Sequence, residues 1–455
     1  MATALQPSGP DLSGTRPIAD NAPWPRPAYA WWVVGVLLIA YTVSFVDRMI
    51  LALLIPSIKS AFQVTDTQVS LLVGFSFALF YTLMGLPLGA LADRGNRRLL
   101  VTGGITVWSL MTALCGLAAG YWGLFLARIG VGVGEATLSP AAYSLLSDYF
   151  PRERLGRAIA VYSIGVPLGS GVALVIGGLV VRLVTEMPPV ELAFIGSAEP
   201  WRLTFMLVGL PGLLAALLVL TVREPVRRGA IDSSPPRWSD LARFIASRRR
   251  AVAAHFVGLS LLTFVIYGYM AWIPTFFART YGLAPADVGL FYGAITAVGG
   301  ALGLLLGGAV ADRRFSAGQT DGHLRVIRWS VVGAAPFLIA MPFAPTPTLA
   351  AALLMPGILI ASMHGGVAGA ALQLIAPNRL RGQITAAYFF MASLIGLGLG
   401  PTAIAMTTDY VFHEDAALRY SLVTVATLAL PLSAIVLTLG FSPFRAAVAA
   451  AEHRP

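Results

Sequence analysis

The chain has 455 residues, of which 57% are hydrophobic and only 11% charged, with a formal net charge of +10. Soluble domains carry about 25% charged residues, and no polar stretch here is long enough to surface even one of the roughly three soluble domains this length would allow. The single cysteine, Cys115, excludes an internal disulfide and a cysteine-based metal cluster, and no motif calls for a cofactor or a metal ion. The composition is that of an integral membrane protein.

Residues 1–28 are polar and proline-rich, with no basic stretch leading into an apolar core, and read as a disordered cytoplasmic tail rather than a signal peptide. Twelve apolar stretches follow, each near the roughly 20 residues that a helix needs to cross a bilayer. They are 29–56, 67–92, 99–119, 122–149, 155–181, 203–222, 252–278, 285–311, 326–343, 348–376, 383–408 and 418–440. Backbone polar groups must be satisfied internally in lipid, so all twelve are expected to be helices. Gly35, Pro56, Pro87, Pro167, Pro274 and Pro356 interrupt them and mark bends. The domain plan is a six-helix half over 29–222, a linker over 223–251, a second half over 252–440 and a cytoplasmic tail over 441–455.

Charge placement orients the bundle. With the N-terminus inside, inner segments collect 24 Arg, among them Arg94, Arg97 and Arg98 and eight between Arg223 and Arg250. Outer loops hold only Lys59, Arg182, Arg202, Arg279 and Arg419. This bias puts both termini on the cytoplasmic side and explains the basicity without nucleic acid. In the linker, Trp238, Leu241, Phe244 and Ile245 share one helical face ahead of Arg248–Arg250, the pattern of an amphipathic helix on the inner leaflet.

Two segments recur. Gly89-Ala-Leu-Ala-Asp93-Arg94 matches Gly308-Ala-Val-Ala-Asp312-Arg313 at an offset of 219, and Pro151 to Tyr162 matches Pro377 to Tyr388 at 226. The chain is therefore expected to be all-α, with twelve transmembrane helices arranged as two six-helix repeats; such repeats place a site at their interface near the midplane. The first segment, continued by Gly95-Asn96-Arg97-Arg98, resembles the cytoplasmic signature of the major facilitator superfamily, with Asn96 where glycine is usual; asparagine also tolerates a left-handed turn. Ser44-Phe45-Val46-Asp47-Arg48, the run Arg128-Ile-Gly130-Val-Gly132-Val-Gly134-Glu135-Ala136, Pro200-Trp201-Arg202 and Gly396-Leu-Gly398-Leu-Gly400-Pro401 resemble its spinster branch. The resemblance implies the major facilitator fold, a secondary active transporter of the inner membrane working by alternating access, a monomer, and an amphiphilic substrate such as a lysophospholipid or sphingoid phosphate.

Four charges lie well inside the spans: Asp47, Arg48, Arg128 and Glu135. Each costs about 2.5–3.5 kcal/mol on insertion scales, which makes a functional role the expectation. Arg128 and Glu135 are seven residues apart and share a helix face, separated by about 10 Å along the axis. Helix rise puts Asp47 between them in depth, and the resemblance makes the first and fourth helices neighbours. The expected network has Asp47 facing Arg128 and Glu135 near Arg48. A carboxyl that exchanges such partners can take up and release a proton. Glu135 is then the first candidate for proton coupling and Asp47 the second, while Arg48 and Arg128 suit an anionic head group.

The second half is nearly uncharged at this depth. His364 is a third proton-coupling candidate, and Tyr267 and Trp272 are candidates for an apolar cavity wall beside a substrate tail. Asp93, Arg94, Arg97, Arg157, Asp312 and Arg313 form a candidate cytoplasmic gate. Gly165-Val-Pro167-Leu-Gly169 loosely resembles the superfamily's antiporter motif, with its Gly-Pro order broken. Lys59 lacks the glycine-rich loop of an ATP site, and neither Gly-x-Ser-x-Gly nor His-Glu-x-x-His occurs, so neither an ATP-driven pump nor an enzyme is expected. A small organic anion, a carboxylate or sugar acid, is the alternative substrate for the same arginines.

Overall fold

The computed structural model describes residues 23–188, 190–192, 196–227, 238–377 and 380–452. The tail expected over 1–28 lies outside them up to residue 22, as does the linker over 228–237. The first half contains α1 (Pro27–Phe62), α2 (Asp66–Arg94), α3 (Arg97–Gly116), α4 (Tyr121–Glu135), α5 (Leu138–Tyr149), α6 (Arg152–Glu186) and α7 (Pro200–Leu220). A linker helix α8 (Trp238–Ser247) leads into α9 (Arg249–Tyr281), α10 (Pro285–Ser316), α11 (Gly322–Phe343), α12 (Pro347–Ile375), α13 (Arg381–Phe412), α14 (Asp415–Leu439) and α15 (Phe441–Glu452). Eleven of these helices are long and apolar enough to cross a membrane. The twelfth crossing is the pair α4 and α5, so the architecture is a twelve-helix transmembrane bundle.

The fourth span was expected as one helix and is broken at Ala136–Thr137. The cause lies in its glycines. A Cβ on Gly132 would stand 2.8 Å from the Phe77 carbonyl of α2, and one on Gly134 would stand 2.7 Å from the Trp108 nitrogen of α3. Glycine is what lets α4 approach both neighbours so closely, and the same run holds its helical turn weakly. Thr137 closes the break by donating its backbone N–H and its hydroxyl to the Gly134 carbonyl, at 3.2 and 2.9 Å. Glu135 is thereby left at the C-terminal end of α4.

The lipid side of the bundle is read from exposure: Leu126, Leu214, Leu428 and Leu439 project outward with most of their surface bare. Between the halves, α6 packs along α10, α1 meets α9, and α2 meets α13. For orientation, the end of the bundle that carries both described termini is the terminal face and the opposite end the distal face. A short antiparallel pair, β1 (Val190–Leu192) with β2 (Gly196–Ala198), caps the distal loop after α6.

Three local expectations differ from what is found. The linker helix forms, but Leu241 and Phe244 are buried against the protein instead of lying free on a leaflet. The expected tail over 441–455 folds as α15 up to Glu452, burying Phe444, Ala447 and Val448, while Arg248 Nη1 donates to the Ala447 carbonyl at 2.9 Å. Asn96 adopts extended backbone, not a left-handed turn (φ −80°, ψ 109°), and its side chain caps α3 by accepting from the Leu99 N–H at 3.0 Å.

Candidate functional site

Arg48 of α1 and Glu135 of α4 meet in the buried interior of the first half, with Arg48 Nη2 donating to Glu135 Oε2 at 2.5 Å. Glu135 sits at the negative end of a helix dipole, so the guanidinium compensates both the carboxylate and the helix terminus. Three rings surround the Arg48 guanidinium: Phe77 at 4.5 Å, Phe45 at 5.0 Å and Tyr81 at 5.4 Å. Phe77 also faces Arg128 at 5.5 Å, so one ring separates two buried cations.

The expected pairing of Asp47 with Arg128 is not formed. Arg128 donates instead to main-chain carbonyls, Nη1 to Asp47 at 3.3 Å and Nε to Leu72 at 3.4 Å, and no ion pair within 4.0 Å joins the two side chains. The Leu72 carbonyl lies in a π-helical turn over Leu71–Phe75, where it accepts from Ser76 Oγ as well. The Asp47 carboxylate, fully buried, faces Thr112 and Trp108 of α3 without reaching hydrogen-bond geometry. Both Asp47 carboxylate oxygens, Arg48 Nε, Arg128 Nη2 and Glu135 Oε1 are buried without a hydrogen-bond partner. Each such atom costs about 1–3 kcal/mol when buried unpaired.

Opposite this cluster the second half contributes Tyr267, Met270 and Leu397, which with Arg48, Met49 and Val73 line a cavity of about 10 Å³, room for about one water. Tyr267, a candidate for the apolar wall, is one of these lining residues. Trp272 does not line the cavity: it is fully buried and donates from Nε1 to the Pro401 carbonyl at 2.9 Å, pinning α9 to α13. His364 lies on a 3-10 turn, its Nδ1 2.6 Å from the Ala361 carbonyl, with no ion pair to any carboxylate among the described residues.

At the terminal face the candidate gate is not assembled. Asp93, Arg94, Arg157, Asp312 and Arg313 are exposed, and among the described residues none joins the halves by an ion pair. Arg97 is buried and works within its own half: it pairs with Asp148 at 2.5 Å and Glu224 at 2.7 Å, tying α3 to α5 and to the segment after α7.

The halves are instead clasped at the distal face, by residues that sequence reasoning did not single out for this role. Asp66 is fully buried and receives Arg279 as a fork, Nη1 to Oδ2 at 2.6 Å and Nη2 to Oδ1 at 2.7 Å. Lys59 joins the same carboxylate at 2.9 Å and reaches Asp415 across the interface at 2.6 Å. Asp409 of α13 accepts from the Thr67 N–H at 2.6 Å. The carboxylates of Asp66, Asp409 and Asp415 converge within 4.8 Å, and the ammonium of Lys59 and guanidinium of Arg279 neutralise them. The one usable signal was that the chain's sole lysine and one of its few outer arginines sit at the same level as acids of the opposite half.

Known proteins match this chain over most of its length. The Major Facilitator Superfamily profile matches residues 37–401. Human protein spinster homolog 1 is 28% identical over 92% of this chain and 82% of its own. An MFS-type efflux pump of Mycolicibacterium smegmatis is 29% identical over 86% and 87%. A crystal structure of a bacterial homolog of the human lysosomal transporter spinster, in an inward-facing and unoccupied conformation, superposes with a TM-score of 0.77 at 27% identity, covering 93% of this chain and 98% of that one. The chain belongs to the Major Facilitator Superfamily, as a multi-pass membrane transporter of spinster-like type and not an enzyme.

Proposed function

We propose that the protein moves an amphiphilic anion, a lysophospholipid or sphingoid phosphate, by proton-coupled alternating access. The observation that carries this reading is the unfinished charge cluster inside the first half, which faces the second half across the cavity through Arg48. Arg48 and Glu135 are paired through one atom each, while Arg48 Nε and Glu135 Oε1 remain unmatched beside the cavity wall formed by Tyr267, Met270 and Leu397. A protonated Glu135 would release Arg48 for a phosphate or carboxylate, and the apolar second-half wall would take the tail. Glu135 leads the proton-coupling roles, Asp47 follows, and Arg128 is held as a second head-group cation. His364, bonded locally, is the weakest of the three proton-coupling candidates.

The state described is closed distally by the Asp66 lock and, among the described residues, free of cross-half ion pairs at the terminal face. With the arginine-rich loops placed inside by the positive-inside rule, the site then opens to the cytoplasm in an inner membrane, and both termini are cytoplasmic. Asp93, Arg94, Arg157, Asp312 and Arg313 would meet only in the opposite state. The protein acts as a monomer, because each half finds its partner within the chain.

The test is thermal stabilisation of detergent-purified protein by lysophospholipids, sphingoid phosphates and small organic anions, each below its critical micelle concentration, with Arg128→Ala as a control. A ligand that binds the native state raises the apparent melting temperature by mass action. Shifts with amphiphiles alone, lost in the variant, support the reading. Shifts with small carboxylates alone would replace the substrate class and favour the alternative.

A further inference from the structure

A groove of about 410 Å³ lies on the terminal face where α8 ends, α9 begins and α15 packs beneath them. Its lining includes Arg248, Arg249 and Arg250 on one side and Ser442, Pro443 and Ala446 on the other, with no carboxylate. Arg248 is committed to structure, donating to the Ala447 carbonyl at 2.9 Å and lying 5.9 Å from the Phe244 ring. Arg249 and Arg250 are exposed and, among the described residues, in no ion pair. Neither α9 nor α15 has an acidic residue in its first turn, so no carboxylate from either helix start offsets the arginines. The groove sits at the start of a 33-residue spanning helix, at the level of lipid head groups rather than within the hydrocarbon.

We infer that this groove is a binding site for the phosphate head group of an anionic phospholipid in the leaflet facing the terminal face. Charge complementarity selects the occupant: two free guanidiniums and a serine hydroxyl suit a phosphodiester, and the groove offers nothing to a zwitterion's ammonium. The occupant is a resident two-chain lipid and not the transported molecule, because Arg250 stands at the start of α9, about 26 Å of helix rise from Tyr267 at the central cavity. Binding there bridges α8, α9 and α15, and so couples the linker between the halves to the last helix of the chain.

The experiment is native mass spectrometry of the full-length protein titrated with dioleoyl phosphatidylglycerol or dioleoyl phosphatidylcholine. The variants are Arg249→Gln/Arg250→Gln and a charge-matched control, Arg26→Gln/Arg223→Gln, at the same face. At about 1 kcal/mol for each cationic side chain near an anionic surface, the first variant should lose roughly thirtyfold in phosphatidylglycerol affinity. Phosphatidylcholine binding and the control should change little. Equal losses in both variants would reduce the effect to general surface charge and overturn the site, as would equal binding of the two lipids. Glycerol 3-phosphate displacing the lipid as well as a second lipid does would reassign the groove to a soluble phosphate. Unaltered melting temperatures confirm that the variants fold.

Discussion

Asp66→Asn is the perturbation that most sharply tests the distal clasp. The carboxylate is fully buried, receives Arg279 as a fork at 2.6 and 2.7 Å and Lys59 at 2.9 Å, and is the hub through which both cations hold the halves together. Removing one partner of a buried ion pair costs about 3–5 kcal/mol. Asparagine keeps one acceptor and Arg279 keeps Asp415 at 3.6 Å, so the low end, about 3 kcal/mol, applies. The Lys59–Asp415 contact adds at most about 1 kcal/mol, since Asp415 is 56% exposed. If that loss falls wholly on the distally closed state, the closed-to-open ratio shifts by roughly a hundredfold. Lys59 is the chain's only lysine, so peptide mapping after amine acylation reports directly on the clasp. A second reporter, the substitution Ala52→Cys at a buried position on the central cavity, separates opening of the pathway from mere freeing of the amine. In the Asp66→Asn background, labelling of the Lys59 amine and of the introduced thiol by impermeant reagents added at the distal side of sealed membranes should both rise roughly tenfold or more. Faster acylation of Lys59 with no change in thiol labelling would show that the clasp is decorative and refute the reasoning.

Other consequences are more local. Gly132→Ala forces a Cβ to within 2.8 Å of the Phe77 carbonyl, so it should destabilise by about 1–3 kcal/mol and lower the melting temperature, whereas Gly35→Ala, with nothing within 4 Å, should not. Trp272→Phe removes the donor to the Pro401 carbonyl in a fully buried site; a loss of about 1–3 kcal/mol in stability with substrate preference unchanged is expected, and altered preference would return Trp272 to the cavity wall. Arg97→Ala removes the buried cation that Asp148 and Glu224 share within the first half. It should cost about 3–5 kcal/mol of stability, read by thermal melting, without changing labelling at Lys59.

Much of this architecture was legible in the amino-acid sequence, for identifiable reasons. Twelve crossings follow from apolar length, because lipid leaves the backbone no alternative to helix. The Arg48–Glu135 pair was legible because two opposite charges at similar depth on adjoining helices have few other partners. Arg128 was misassigned because depth cannot say whether a guanidinium meets a carboxylate or a carbonyl, and the π turn in α2 puts the Leu72 carbonyl in its reach. The break after Glu135 was hidden because a Gly-x-Gly-x-Gly run is equally compatible with a continuous, closely packed membrane helix. Trp272 shows the same ambiguity: an aromatic residue in a span reads alike as packing or as cavity wall until its indole N–H finds a partner. The distal clasp joins residues 213 and 356 positions apart, each an ordinary charge near a helix end on its own, and only folding brings them together.

The central claim is coupling through Glu135, and transport in proteoliposomes tests it most directly. Purified protein is reconstituted, an inward or outward pH gradient is imposed, and flux of a fluorescent lysophospholipid is followed for wild type and Glu135→Gln. The account predicts gradient-driven flux in the wild type. In the variant it predicts loss of the response to the gradient, with folding and substrate-induced thermal stabilisation retained. Gradient-driven flux of normal size in Glu135→Gln would contradict it.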